Sequence, residues 1–158
     1  MSCRIGFGID FHQLAEGRAF WLGGVRIPSD RGAVGHSDAD VLIHAICDAL
    51  LGALALGDIG VHFPNTDTAY QGIDSKLLLG RVHALISAEG WRVGNIDSTV
   101  TLEAPKVMAY APQMREAMAA ILGIGVDDIS IKATTTEKMG FVGRGEGVAA
   151  YAVALLEK

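Results

Sequence analysis

After Ser37-Asp38-Ala39-Asp40 the chain runs to Gly57 with only two polar side chains, His44 and Asp48. A helix that is apolar on every side has to be buried on every side, so this segment demands elements packed all around it. The tetrad in front of it resembles an N-terminal cap at Ser37 with an acid at the third following position, which puts the helix between Ser37 and Gly57. Its most apolar part, Ala49 to Leu56, is far short of the roughly 20 residues that span a bilayer and is flanked by Asp48 and Asp58. The expectation is a buried core helix. A chain of 158 residues is long enough to enclose it in one domain without disulfides.

The flanking sequence supplies the enclosing elements. Arg4 to Phe11 alternates apolar residues with glycine and leads into Asp10-Phe11-His12, the pattern of a strand running into a site. Phe20 to Ile27, broken by Gly23-Gly24, reads as an irregular hairpin. Asp74 or Ser75 opens a second helix that runs through Ala88 to Gly90, and Pro112 stands at the start of a third that continues to Gly123. Ile96, Ser98, Val100 and Leu102 alternate like a strand over Trp91 to Leu102, closed by Ala104-Pro105. Ile129 to Ala133 is a further strand, whereas the Ala-rich segment Val148 to Leu156 fits strand or helix. Gly, Pro, Asn, Asp and Thr accumulate without a period from Gly57 to Ser75, which indicates a long loop of the kind that serves as a mobile lid. No repeat or linker interrupts the chain, so residues 1–158 are read as one domain.

The formal charge of −5 and the pI near 5.4 argue against a nucleic-acid or anionic-membrane surface and point to a small-molecule partner. Cys3 and Cys47 have neither metal-ligand nor disulfide-scaffold spacing, and Gly6, Gly8, Asp10 and His12 fall where an export signal needs an apolar core. A reducing cytoplasm is the expected compartment, or a plastid if a transit peptide has been removed.

Alternate residues of an extended strand project from the same face about 7 Å apart, so Asp10 and His12 can converge on one ion. His44, from the apolar helix, would complete a facial set of three donors and leave a position open for water or a substrate oxygen, as in catalytic zinc sites. Zn²⁺ is the first choice for this donor set. Asp40 and Asp48 stand four residues either side of His44, where a carboxylate can orient the second ring nitrogen, and Asp48 is the expected partner. Taken singly, each of these residues is more simply a cap or a satisfied polar side chain. His36 precedes Ser37 and would lie at the positive end of the helix, where a phosphate is favoured, although a loop histidine explains it as well. Thr134, Thr135, Thr136 and Glu137 offer hydroxyls for phosphoryl oxygens and a carboxylate for Mg²⁺, while threonines at a strand end also satisfy propensity alone. The run Gly140-Phe-Val-Gly143-Arg-Gly145-Glu-Gly147 brings amides and Arg144 to a phosphate, or allows close packing at a subunit contact. Neither a Walker A loop nor a GxGxxG fingerprint is present.

Gly6-x-Gly8-x-Asp10-x-His12, His36-Ser37-Asp38-x-Asp40, Asp58-Ile59-Gly60, Phe63-Pro64, Ala104-Pro105-Lys106 and Ala133-Thr-Thr-Thr-Glu137-Lys138 follow one another across nearly the whole chain. In that order they closely resemble the motifs of the 2-C-methyl-D-erythritol 2,4-cyclodiphosphate synthase family. The length is similar to the stand-alone enzyme rather than to its fusion with a cytidylyltransferase. The resemblance implies an α+β fold with a mixed β-sheet and helices packed on one face, assembled as a homotrimer with the sheets facing the threefold axis and active sites at subunit boundaries. It makes Val148 to Leu156 a strand. It further implies a phosphorus-oxygen lyase that converts 4-diphosphocytidyl-2-C-methyl-D-erythritol 2-phosphate to the cyclic diphosphate and CMP, on the non-mevalonate route to isoprenoid precursors. The 2-phosphate would attack the β-phosphorus, so positioning and electrostatics dominate.

Residue by residue, the resemblance implies that Asp10, His12 and His44 hold Zn²⁺ or Mn²⁺ against the β-phosphate, and that Glu137 holds Mg²⁺ or Mn²⁺ with the substrate phosphates. His36 and Thr135 match transition-state stabilising positions, and Ser37 matches a phosphate contact. Asp58, Ile59 and Gly60 would bind the erythritol, with Phe63, Pro64, Asn65, Thr66 and Asp67 as the substrate loop. The cytidine pocket is implied at Ala104, Pro105, Lys106, Val107 and Met108, together with Thr134 and Thr135 from an adjacent subunit. Thr136, Phe141 and Arg144 match further ligand-contacting positions, and Arg144 with Glu146 would flank a central channel that accepts isoprenoid diphosphates in some members. Asn65 stands where the family commonly has Asp and Ile9 where it often has Phe, and neither touches an expected metal ligand. Two other readings compete: a metal-dependent phosphohydrolase with the same three ligands, and a non-catalytic trimeric binder of isoprenoid diphosphates.

Overall fold

Helix α1, Val41–Ala53, lies at the centre of the computed structural model, which describes residues 1–158. Its cap is Asp40, not Ser37. Ala39 has a φ of 59°, a left-handed conformation no α-helix passes through, so the helix starts only after it. Asp40 is fully buried, and its oxygens accept the N–H groups of Gly23 at 2.9 Å, Gly24 at 2.7 Å and Ile43 at 3.1 Å. Gly23 and Gly24 turn the hairpin formed by β2 (Phe20–Leu22) and β3 (Val25–Ile27), with φ of 59° and 79°, the two left-handed positions of a tight hairpin turn. One carboxylate therefore ties the hairpin to the helix start. Asp40→Ala leaves these amides without an acceptor, and the expected loss of about 3–5 kcal/mol corresponds to a melting point lower by about 10 °C. Thermal unfolding checks this, and a wild-type midpoint would show that the amides find other partners. At its far end the helix stops at Ala53, short of Gly57, because Ala55 also turns left-handed with a φ of 58°.

A five-stranded sheet lies under α1 in the order β4 (Arg31–Val34), β1 (Cys3–Glu16), β7 (Gly147–Glu157), β5 (Arg92–Thr101), β6 (Ile129–Thr134). Pairing is antiparallel except between β5 and β6, which makes the sheet mixed. Val148 to Leu156 thus belongs to the central strand. The β5–β6 crossover carries a helix, α4 (Ala111–Leu122), which has Pro112 in its first turn and ends at left-handed Gly123. Between α1 and α4 lies α3 (Ser75–Ala88), capped by Asp74, which accepts the Lys76 N–H at 2.9 Å. The expected loop from Gly57 to Ser75 contains a one-turn helix α2 (Ile59–His62) and a 3-10 turn at Thr68–Tyr70. It is anchored by Gly72 N–H to His36 O at 2.7 Å and Asp38 N–H to Ile73 O at 3.1 Å.

Alternation along β1 separates two kinds of residue. Gly6, Gly8, Asp10 and His12 share one face, opposite Ala154, Ala152, Ala150 and Val148 of β7. A Cβ at Gly6 would collide with the carbonyl of Ala49, and one at Gly8 with the carbonyl of Ala45. The glycines therefore let α1 lie directly on the strand backbone. The opposite face presents Ile5, Phe7, Ile9 and Phe11, with Phe7 61% exposed, and is covered only at the Phe11 end, where Phe141 packs on it. The long helices α1, α3 and α4 all lie on the glycine side of the sheet. Cys3 and Cys47 are not joined, and no helix is long and apolar enough to cross a membrane.

Candidate metal centre and active site

Asp10 and His12 continue the glycine face of β1 past the point of closest approach, where α1 presents His44. Asp10 Oδ2 lies 2.9 Å from His12 Nε2 and 3.1 Å from His44 Nδ1, and the two ring nitrogens are 3.1 Å apart. Donors at this spacing can share an ion bound at roughly 2.0–2.1 Å, so a carboxylate and two imidazoles fit Zn²⁺ or Mn²⁺. His12 Nδ1 lies 3.0 Å from Val34 O, to which it donates its N–H, and this leaves Nε2 bare for a metal. Burial alone would raise the Asp10 carboxyl, but hydrogen bonds and charges from His12 and His44 outweigh it and hold it at about 2. Asp10 is therefore an anion throughout the neutral range. Burial lowers the His12 imidazole, and the neighbouring Asp10 more than restores it, for a net upward displacement.

Asp48 does not orient His44. The His44 Nε2 atom faces Ser75 Oγ at 2.9 Å and Ser37 Oγ at 3.1 Å, while Asp48 Oδ1 accepts the Ile59 N–H at 2.8 Å. Helical side chains lean towards the N-terminus, which turns the His44 ring away from the following turn that carries Asp48. Asp40 is likewise occupied by the hairpin. His36 is not at a helix start either, because the cap has moved to Asp40, and its Nε2 lies 3.2 Å from Asp67 O.

Asp10, His12 and His44 open onto a cavity of about 440 Å³. His36, Ser37, Asp48, Asp58, Ile59, Gly60, Phe63 and Asn65 line it too, as do Gly35, Tyr70, Ile73 and Leu78. Asp58 also caps α2 by accepting the Val61 N–H at 3.0 Å, and Asp67 caps the following 3-10 turn by accepting the Ala69 N–H at 2.9 Å. Pro64 O receives the Asp67 N–H at 3.0 Å, and this turn carries Thr66 between them.

A second cavity, about 230 Å³, is lined by Pro105, Lys106, Val107, Met108, Thr134 and Thr135, together with Leu102, Glu103 and Ala133. One chain supplies both halves of this group, next to Ala104. Thr135 Oγ1 donates to Glu137 Oε1 at 3.3 Å, while the Thr136 hydroxyl is engaged by Met139 O at 2.6 Å and faces its own loop. Glu137 stands apart from the Asp10, His12 and His44 group. Phe141, on α5 (Gly140–Gly143), packs edge-on against Phe11 at 6.0 Å, and Arg144 is paired with Glu146 at 2.7 Å on the exposed surface.

A family model described as the YgbB family matches residues 3–157. The chain belongs to the YgbB family. A relative from Bacteroides thetaiotaomicron named 2-C-methyl-D-erythritol 2,4-cyclodiphosphate synthase is 59% identical over 158 residues, covering 100% of this chain and 99% of the relative. One of the same name from Chloroherpeton thalassium is 61% identical over 155 residues, 98% of this chain and 99% of its own length. Among solved structures, a CDP-bound form of a 2C-methyl-D-erythritol-2,4-cyclodiphosphate synthase superposes with a TM-score of 0.90 at 37% identity, covering 98% of this chain and 100% of that one. The bifunctional IspDF from Campylobacter jejuni superposes with a TM-score of 0.94 at 39% identity, with 98% of this chain spanning 42% of that longer protein.

In this YgbB chain, the residues that sequence reasoning missed are those defined by distant contacts. Ser75 reaches His44 from the start of α3, and Tyr70 enters the cavity wall by packing edge-on against Phe63 at 5.5 Å. The local sequence around each shows only a helix start or a loop aromatic.

Proposed function

We infer that this chain converts 4-diphosphocytidyl-2-C-methyl-D-erythritol 2-phosphate into 2-C-methyl-D-erythritol 2,4-cyclodiphosphate and CMP. The observation that carries the reading is that Asp10, His12 and His44 open onto one cavity with His36, Ser37, Asp58 and Gly60, in a chain whose close relatives bear the synthase name. In the reaction a 2-phosphate oxygen bonds to the β-phosphorus while the bond from that phosphorus to the CMP oxygen breaks, and no water is consumed. A divalent ion, Zn²⁺ or Mn²⁺ at the triad and Mg²⁺ or Mn²⁺ at Glu137, supplies Lewis-acid polarisation and charge neutralisation when bound.

The chain's own residues hold the substrate folded back on itself. Asp58 and the backbone at Ile59 and Gly60 receive the erythritol hydroxyls. His36 and Ser37 donate to phosphoryl oxygens from the cavity wall, and Thr135 does so from the other cavity. Lys106, Ala104 to Met108 and Thr134 take the cytidine phosphate. The loop Phe63 to Asp67 closes over the erythritol, with Asn65 offering an amide where a carboxylate is common.

Metal and cytidine groups line separate cavities of one chain, and a band of Ile5, Phe7, Ile9, Phe11 and Val153 lies bare on the sheet. Both features support a homotrimer in which the bands meet at the threefold axis and one subunit's cytidine cavity faces the next subunit's metal centre. Incubating the protein with the cytidyl substrate and Mg²⁺ tests the reaction. CMP and cyclic diphosphate are expected in equal amounts; inorganic phosphate or an uncyclised erythritol phosphate would instead favour the phosphohydrolase.

A further inference from the structure

Of the two histidines at the metal centre, His12 is held from behind by a main-chain carbonyl and His44 by side chains. Ser75, the first residue of α3, is fully buried, and both of its protons go to Asp38. The Ser75 N–H donates to Asp38 Oδ2 at 2.9 Å, and its hydroxyl donates to Asp38 Oδ1. A hydroxyl has one proton, so Ser75 Oγ has only lone pairs left to turn towards His44 Nε2, 2.9 Å away. A bare Nε2 there would oppose lone pair to lone pair, whereas a protonated Nε2 completes a hydrogen bond. Ser37 Oγ, 3.1 Å from the same nitrogen, carries a proton that can turn either way and so discriminates between neither form.

We propose that Asp38 and Ser75 form a positioning pair for the metal centre, fixing His44 in the Nε2–H tautomer so that a bare Nδ1 faces Asp10 and His12. The inference rests on the reading of these three residues as metal ligands. Asp38 thus accepts both protons that Ser75 presents at the first turn of α3. The chain thereby fixes its two imidazoles in opposite tautomers, and each turns its free nitrogen to the same point. Neither Ser75 nor Asp38 lines the cavity, so neither is expected to touch substrate.

The tautomer is measured directly in metal-free protein labelled with ¹⁵N-histidine. His44 protonated on Nε2 is the expected result in the wild type, and a mixture or Nδ1–H in Ser75→Ala. Competition with a chromophoric chelator reads Zn²⁺ affinity, which should fall about 10–100-fold in Ser75→Ala and recover in Ser75→Thr, which keeps the hydroxyl. His44 carrying its proton on Nδ1 in the wild type overturns the proposal, as does Ser75→Ala with wild-type tautomer and affinity. The wild-type spectrum decides the matter even where the alanine variant fails to fold. His44→Ala separates the two levels of inference: if it binds Zn²⁺ as the wild type does, the metal site itself is wrong. If it loses Zn²⁺ while Ser75→Ala retains it, only the positioning role fails.

Discussion

His44→Ala is expected to release the divalent ion from Asp10 and His12 and to lower CMP release about 10³-fold, while the chain stays folded and keeps its wild-type mass in solution. Two donors remain where three converged within 3.1 Å of one another. A metal's Lewis-acid contribution of several kcal/mol to the transition state translates into about three decades of rate. The structural penalty is smaller. Removing the imidazole leaves Ser75 and Ser37 short of one partner, at a cost of about 1–2 kcal/mol. Metal analysis, the CMP assay and a mass measurement in solution read the three outcomes separately. Unchanged turnover would rule out the site, and unchanged binding of an isoprenoid diphosphate by a chain that never turned over would support the non-catalytic binder.

Gly8→Ala should lower stability and metal affinity together. The added Cβ meets the carbonyl of Ala45, a main-chain atom in the most buried helix, which can move aside only if α1 lifts off β1. Overpacking against backbone costs about 3 kcal/mol or more, and for a domain of this size the melting point falls by roughly 6–12 °C. The same displacement separates His44 from Asp10 and His12, so metal affinity drops with it. Gly17→Ala provides the contrast, because its Cβ would enter open space and only the left-handed φ of 70° is at stake. That change costs about 1 kcal/mol. Equal melting points for the two variants would refute the close-contact account.

These contrasts show which parts of the molecule its sequence makes legible. The apolar run after Asp40 announces a buried helix because nothing else can shelter it, and the alternation from Arg4 to Phe11 announces the strand that carries Asp10 and His12. Asp10, His12 and His44 were accessible for the same reason, since strand and helix periodicity places them. The helix cap was not. Ser37, Asp38 and Asp40 can each cap in principle, and the choice depends on the Gly23 and Gly24 amides that reach Asp40 from another element. The partner of His44 was assigned to Asp48 from helical spacing, but side-chain lean and the arrival of Ser75 from α3 decide otherwise. The alternation of glycine with apolar residues marks β1 as a strand, but that Gly6 and Gly8 admit α1 onto its backbone depends on an element far along the chain.

The strict alternation along β1 makes its outward-facing residues tolerant of substitution and the strand intolerant of a change in length. Loss of one residue between Gly6 and Asp10 forces half of the strand to exchange faces. If the C-terminal half keeps its register with β7, a bulky side chain such as Ile5 is driven into the carbonyls of α1. If the N-terminal half keeps it, Asp10 and His12 rotate away from His44 onto the bare side of the sheet. Ile5, Phe7 and Ile9 can thus vary in size without disturbing the ligands, but an odd insertion or deletion disables either the packing or the chemistry. Homologous chains should accordingly drift in composition here while holding the count of residues from Gly6 to His12 fixed.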